Sequence, residues 1–406
     1  MTNENRKKGT LAKGTPWGHV LLIVGAGVVV CFQVGKAPPV IPSIRAELDM
    51  SLFSAGWILS SFNIIGLLLG SIIGALSDAF GHRRLLLGGL ICQAAGSLMG
   101  ALAHSVPLLL ATRVLEGMGY LMAAVSAPSL ITRLVQPGDL RLALSIWSTW
   151  LPAGSATIML ITPAITFFFG WRGLWLINAA ILAGYAVLVK RYTVTLKART
   201  RRKKVLLGRI WRDIRITSTS MGPILLALSL SAFALQWLAV MGFLPTLLIE
   251  DYGLSTGKAS ILTGIMVGVC VPGNLSGGWL LQKGFRRWHL IALSSLVMGC
   301  CSLAIYQVSI PFSFRYFASL AFSGIGGLLP AAVLSGAPVH APHEEQVATT
   351  NGLIMQGAQL GQVLGPPILA LIVSNLGGWQ AAPMLLIPTA GLGILLSFGL
   401  AALERK

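Results

Sequence analysis

Acidic side chains are scarce in this chain: 12 Asp and Glu stand against 30 Lys and Arg among 406 residues, and charged residues of either sign make up only 10%. A soluble globule carries about 25% charged residues, so a water-covered surface for a protein of this size is excluded. Cys31, Cys92, Cys270, Cys300 and Cys301 all sit in apolar runs. Their spacing forms neither a metal-ligand set nor a disulfide framework. A Walker-type Gly-Lys-Ser/Thr loop is lacking, as is any Ser, Cys or His constellation suited to covalent catalysis. His340-Ala-Pro-His343-Glu344-Glu345 lacks the long-range companions that a tetrahedral metal site needs. No cofactor, no metal and no enzymatic activity are expected.

Apolar residues, by contrast, make up 55% of the chain, and they fall in runs of roughly 20 or more, the length at which a helix crosses a bilayer. In the first half the runs are Trp17 to Pro42, Ser54 to Leu76, Leu85 to Ala103, Val106 to Leu134, Leu142 to Phe169 and Trp171 to Val189. In the second half they are Met221 to Ile249, Ala259 to Leu281, His289 to Val308, Pro311 to Val339, Thr350 to Leu376 and Trp379 to Leu400. Lipid offers no partner to a backbone N–H or C=O, so each run is expected to be a helix. The first run is long enough to span and is followed at once by another, so it serves as its own insertion signal.

A net charge of +18 could point to nucleic acid, but the distribution of the cations decides otherwise. Basic residues precede span 1, follow span 2 at Arg83 and Arg84, and crowd the segment between Lys190 and Arg215, all on one side; Arg45, Arg172 and Lys258 fall on the other. The positive-inside rule then places both termini in the cytoplasm, at the inner membrane. The basic run Lys197 to Lys204 reads as a solvated linker beside anionic lipid, with no nucleic-acid partner.

Two signatures repeat about 203 residues apart. Gly74-Ala-Leu-Ser-Asp78-Ala-Phe-Gly81-His-Arg83-Arg84 follows span 2, and Gly277-Gly-Trp-Leu-Leu-Gln-Lys283-Gly284-Phe-Arg286-Arg287 follows span 8. Gly170-Trp171-Arg172 is echoed by Gly378-Trp379-Gln380, and Pro163 by Pro367. The expected organisation is a tail (1–16), a six-helix bundle (17–189), a basic linker (190–220), a second six-helix bundle (221–400) and a short tail (401–406). A duplicated bundle of this kind is a transporter architecture.

With these residues in view, the chain resembles the major facilitator superfamily over nearly its whole length. Gly74 to Arg84 resembles that family's loop 2-3 signature, and Arg113-Val-Leu-Glu116-Gly117-Met-Gly119 in span 4 is similar to its second motif. The resemblance implies an all-α membrane fold of twelve helices in two pseudo-symmetric bundles. It also implies that Asp78 latches the cytoplasmic gate, held by the amino end of span 11 near Thr349 and Thr350 or by Arg83 and Arg84. Gly74 and Gly81 would allow the close approach. The alternative is that the motif fixes only topology and a tight turn. Leu281 stands where Asp78 would be in the second copy. The overall run from Pro39-Val-Ile-Pro-Ser-Ile-Arg45 through Glu116-Gly-Met-Gly119 is also similar to the cyanate and nitroimidazole permease branch.

Lys36 falls in the outer half of span 1, where it is either a substrate contact or a snorkelling end residue. Pro38, Pro39 and Pro42 interrupt the helix just beyond it. Arg113 and Glu116 are three apart on a helix and can face one another. They form a buried structural pair, or a pair neutralised across to span 1, or an anion holder beside a carboxyl that loads a proton, and the same residues could do both. The resemblance marks spans 1, 4, 7 and 10 as cavity-lining, helped by 5, 8 and 11. Gln33, Tyr120, Trp147, Trp150, Gln236, Trp237, Asn274, Gln356 and Gln359 are therefore candidates for an amphiphilic pocket, each alone also readable as interhelical glue. Gly117, Gly119, Gly357, Gly361 and Gly365 mark close helix packing. Span 5 offers Pro152, Gly154 and Pro163 in place of the family's Gly-Pro antiporter sequence.

The expected function is secondary transport of a small solute by alternating access, with a small organic or inorganic anion favoured by Lys36 and Arg113. Proton-coupled efflux of lipophilic compounds is the alternative, and a non-transporting sensor with the same fold is a third reading. The partners expected are the lipid bilayer, a small-molecule substrate and a coupling proton or ion. Each chain would supply its own pathway, so a monomer suffices.

Overall fold

A computed structural model describes residues 14–193, 207–343 and 346–404, with main chain only at 71, 74–80, 141, 207, 209 and 210. Eleven helical stretches among the described residues are long and apolar enough to cross a membrane. One of them, Trp150–Tyr192, is 43 residues long and breaks at Gly170, so it holds two spans and brings the total to twelve. The spans are Trp17–Leu48, Leu52–Gly70, His82–Ala101, Val106–Leu134, the two parts of Trp150–Tyr192, Met221–Glu250, Thr256–Gln282, Arg287–Tyr306, Phe312–His340, Val347–Asn375 and Trp379–Glu404. They are numbered 1 to 12 below. The face on which span 1 begins and span 12 ends is called terminal, and the opposite face distal.

The outward faces are apolar. Leu68, Phe314 and Leu395 are all well exposed, and Phe167, Phe168 and Phe169 form an exposed aromatic cluster just before the Gly170 break. Aromatic residues gather at a membrane interface in this way.

The internal repeat extends to backbone angles. Gly81 and Gly284 take φ of 85° and 91°. Gly170 (φ 60°, ψ −169°) and Gly378 (φ 96°, ψ −164°) adopt similar conformations ahead of spans 6 and 12. A side chain at these angles would meet its own backbone, so each position requires glycine.

Two expectations are revised. Span 1 does not end at Pro42: a 3-10 turn at Pro38–Val40 leads into a helix over Ile41–Leu48. The segment 190–220 is not linker throughout, because span 6 runs to Tyr192 and a helix forms over Leu207–Thr219. Trp211 and Ile214 lie three apart on that helix, a pattern that the basic composition masked. The run Lys197 to Lys204 lies outside the described residues.

The two halves meet along two seams. Span 2 packs on span 11, where Ser60 Oγ donates to the Gln362 carbonyl at 3.0 Å and Gln356 Nε2 donates to the Leu67 carbonyl at 3.0 Å. Span 5 packs on span 8, and Ser260 Oγ donates to the Met159 carbonyl at 2.6 Å. At the distal end the Pro38–Val40 turn also rests on spans 7 and 8.

Candidate functional site

Three ionisable side chains meet in the interior of the N-terminal half. Glu116 accepts from Lys36 Nζ at 2.7 Å through one oxygen and from Arg113 Nη1 through the other. Lys36 and Glu116 are 0% exposed and Arg113 is 1% exposed, so this is a fully desolvated group of two cations and one anion.

Every nearby element contributes to holding it. Lys36 also donates to Ser97 Oγ at 2.8 Å, and Ser97 Oγ donates in turn to the Trp175 carbonyl at 2.9 Å. The ammonium lies 4.2 Å above the Trp175 ring, a favourable cation–π placement. Arg113 donates to the Gln33 carbonyl at 2.9 Å and to the Ile58 carbonyl at 3.1 Å, and its guanidinium lies 4.7 Å over Phe62. Spans 1, 2, 3, 4 and 6 all take part. Lys36 therefore does not snorkel, because its charge turns inward to Glu116. Glu116 thus pairs within span 4 with Arg113 and across to span 1 with Lys36.

Close backbone contact makes the cluster possible. A Cβ at Gly117 would strike the Phe62 carbonyl, and one at Gly96 would fall 2.8 Å from Glu116 Cγ. Gly119 and Gly89 each sit against the other's carbonyl. Small residues thus draw spans 2, 3 and 4 together around the charges.

The other candidates separate into distinct roles. Tyr120 stacks on Trp150 (5.1 Å, 15°), Trp150 stacks on Trp147 (4.6 Å, 17°), and Phe62 leans on Tyr120 at 5.1 Å. This is a continuous aromatic ladder from span 2 to span 5. Gln33, Gln236, Trp237, Asn274 and Gln359 each carry at least one buried polar atom with no hydrogen-bond partner: both side-chain atoms of Gln33, Nε1 of Trp237, and the amide oxygens of the other three. A buried donor or acceptor left unpaired costs about 1–3 kcal/mol, which makes these groups available to a polar ligand. Gln356 instead bridges the halves. Gly357, Gly361 and Gly365 pack against the carbonyls of Ala227, Ser231 and Leu235 on span 7.

The gate signature is described only in part. Arg83 donates from Nε to Thr193 Oγ1 at 2.7 Å and from Nη2 to the Lys190 carbonyl at 2.8 Å, contacts that fasten the end of span 6. Arg84 is exposed. The side chain of Asp78 lies outside the described residues, and so does the latch role expected of it.

A second polar constellation, at the distal end, was not read chemically in the sequence. Trp171 Nε1 donates to Glu47, which also pairs with Arg172. In the other half Trp379 Nε1 donates to Glu250 Oε2 at 3.0 Å. Each half therefore ties its Gly-Trp corner to the acid that ends its own first span. Gln380 replaces Arg172 in the second copy, and Glu250 takes its cation from the opposite half, Arg45 Nη1 at 2.8 Å. The echoed Gly-Trp pair and the 203-residue offset between Glu47 and Glu250 carried this signal.

Arg45 and Glu250 are 27% and 40% exposed, and an exposed pair contributes about 0–1 kcal/mol. Arg45→Ala is expected to raise opening of the distal end by up to about fivefold. The check is the alkylation rate of a cysteine placed at Val40, which is only 1% exposed in the closed form. An unchanged rate would mean that the pair holds nothing shut.

Comparison with known proteins agrees with the architecture. The model of the Major Facilitator Superfamily matches residues 23–345 and 226–406. The chain is 34% identical over 165 residues to the cephamycin export protein CmcT of Amycolatopsis lactamdurans, covering 40% of this chain and 34% of that one. It is 32% identical over 173 residues to the multidrug efflux pump LfrA of Mycolicibacterium smegmatis, covering 42% and 33%. To the putative niacin/nicotinamide transporter NiaP of Bacillus subtilis it is 24% identical over 268 residues, covering 64% and 65%. The matched stretch thus spans about a third of the length of these exporters. A solved bacterial homolog of the human lysosomal transporter Spinster, inward-facing and unoccupied, shares the fold with a TM-score of 0.79 at 16% identity, covering 95% of this chain and 98% of that one. Twelve spans, a duplicated backbone pattern and a family match over nearly the whole sequence lead to one conclusion: this chain belongs to the Major Facilitator Superfamily, a family of membrane transporters.

Proposed function

We propose that the protein is a proton-coupled exporter of lipophilic small molecules, working by alternating access, with Glu116 as the coupling carboxylate. The observation that carries this reading is the cluster itself. Among the described residues Glu116 is the only buried Asp or Glu, and it holds two cations at once. A proton arriving there would release both, which converts one ionic event into a rearrangement of spans 1 and 4. Lys36 and Arg113 are already engaged, so the substrate meets the aromatic ladder and the unpaired amides instead. Similarity to the exporter CmcT and the efflux pump LfrA supports export.

In this reading both termini lie in the cytoplasm of the inner membrane, the closed distal end is external, and the conformation is inward-facing. A monomer provides the whole pathway, and Asp78 serves as the terminal-face latch. The cluster's net single positive charge favours a small anion as the second substrate class.

Proteoliposomes under an imposed pH gradient test the proposal with ethidium as a lipophilic probe and nicotinate as a small anion. Ethidium flux driven by the gradient is expected to fall at least about tenfold in Glu116→Gln, while ethidium exchange without a gradient persists. Gradient-driven flux equal to wild type would remove Glu116 from coupling. Flux of nicotinate alone would select the anion, and ligand binding without any flux would make the protein a sensor.

A further inference from the structure

A cavity of about 550 Å³ opens on the distal face of the C-terminal half, lined by Asp251, Tyr252, Phe312, Arg315, Trp379 and Gln380 among others. It lies between the end of span 7, the start of span 10 and the Gly-Trp corner before span 12. It is separate from the Glu116 cluster, which belongs to the other bundle, and from the span 2–11 and span 5–8 seams, while its Trp379 wall also holds Glu250 of the pair that crosses to Arg45.

Its floor holds an incompletely satisfied cation. Arg315 is only 6% exposed. Nε donates to the Ile305 carbonyl at 2.7 Å, but Nη2 is buried with no hydrogen-bond partner. The nearest carboxylate oxygen, Asp251 Oδ2, stands 3.9 Å away, beyond hydrogen-bonding reach. Tyr252 Oη is likewise buried, and the Tyr252 side chain has the Arg315 guanidinium as its polar neighbour. Both residues line a space of ligand size, since small-molecule pockets run from about 300 to 1,000 Å³.

The walls define the rest of the ligand. The Arg315 guanidinium lies 4.7 Å over the Tyr252 ring, Phe312 is 4.9 Å from Tyr252, and Trp379 closes one side. Behind Arg315 the space among Leu244, Leu247 and Leu248 amounts to about 10 Å³, room for no more than a water molecule. Entry is from the distal mouth. Asp251 at that mouth already competes for Arg315 and repels additional negative charge, so a polyanion is disfavoured.

We propose that this cavity binds a small aromatic monocarboxylate, its carboxylate on Arg315 Nη2 and Tyr252 Oη and its ring against Tyr252, Phe312 and Trp379. A planar carboxylate suits the guanidinium fork. The site stands independently of the transport reading, because no residue in it belongs to the proposed coupling machinery.

Benzoate titrated by calorimetry onto the full chain in lipid nanodiscs tests the assignment, with benzyl alcohol and inorganic phosphate as controls. Saturable benzoate binding is expected in wild type and in Glu116→Gln alike, and neither control should compete. Arg315→Gln is expected to weaken binding by at least about tenfold, and Asp251→Asn to tighten it about threefold by removing the competing carboxylate. Absence of saturable binding in folded wild-type protein would overturn the site, as would an Arg315→Gln affinity equal to wild type. Should Arg315→Gln fail to fold, Asp251→Asn and Phe312→Ala carry the test, and unchanged affinity in both would overturn it equally. Loss of benzoate binding in a folded Glu116→Gln protein would place the ligand in the transport path and refute a separate site.

Discussion

Glu116→Leu is expected to destabilise the N-terminal half by about 3–5 kcal/mol, the penalty for leaving a buried charge without its partner. Both cations would remain, and the local charge would rise from one to two positive units in a space with no exposure to water. Lys36→Met in the same chain should recover most of that loss, because Arg113 keeps its backbone acceptors at Gln33 and Ile58 while the second charge disappears. Thermal unfolding of the single and double variants provides the measurement. A double variant no more stable than Glu116→Leu would show that the three groups are not energetically coupled. Coupling to protons should stay lost in the double variant, which separates the chemical role of Glu116 from its structural one.

Gly361→Leu is expected to prevent correct assembly of the C-terminal half. Span 11 meets span 7 through glycines four residues apart, and the atoms they touch are the carbonyls of Ala227, Ser231 and Leu235, themselves four apart. The two backbones run in contact with no side chain between them, an arrangement that also brings Cα–H groups to carbonyl oxygens. A flexible neighbour could move aside, but main chain cannot. Overpacking costs about 1–3 kcal/mol even where side chains can adjust, and the loss here belongs at the upper end. The yield of monodisperse protein in detergent should collapse. Near-normal recovery would show that the spans can separate locally.

The spans were legible because lipid imposes a single rule on the backbone: apolar runs of sufficient length must be helices. Trp17, Val106, Met221 and Trp379 begin spans at the positions read from composition. The pairing of Arg113 with Glu116 was legible from helical spacing, but Lys36 was read separately. Its neighbours Ser97 and Trp175 come from spans 3 and 6, and single-helix periodicity carries no information on which helices touch. The helix at Leu207–Thr219 was hidden by its basic residues. Arg315 entered none of the sequence readings, since an arginine at a span end is unremarkable until its environment is known.

The distal corners carry a consequence of their own. In one copy Arg172 neutralises Glu47 within its own half, but Gln380 cannot do this for Glu250, so that acid recruits Arg45 from across the divide. A broken symmetry thus becomes a clasp between twins. Half-immersed in the surrounding medium, the clasp slackens as salt rises, because charges there are screened over about 8 Å at physiological ionic strength. The resting posture of the carrier is thereby tied to the salinity of the fluid on that side.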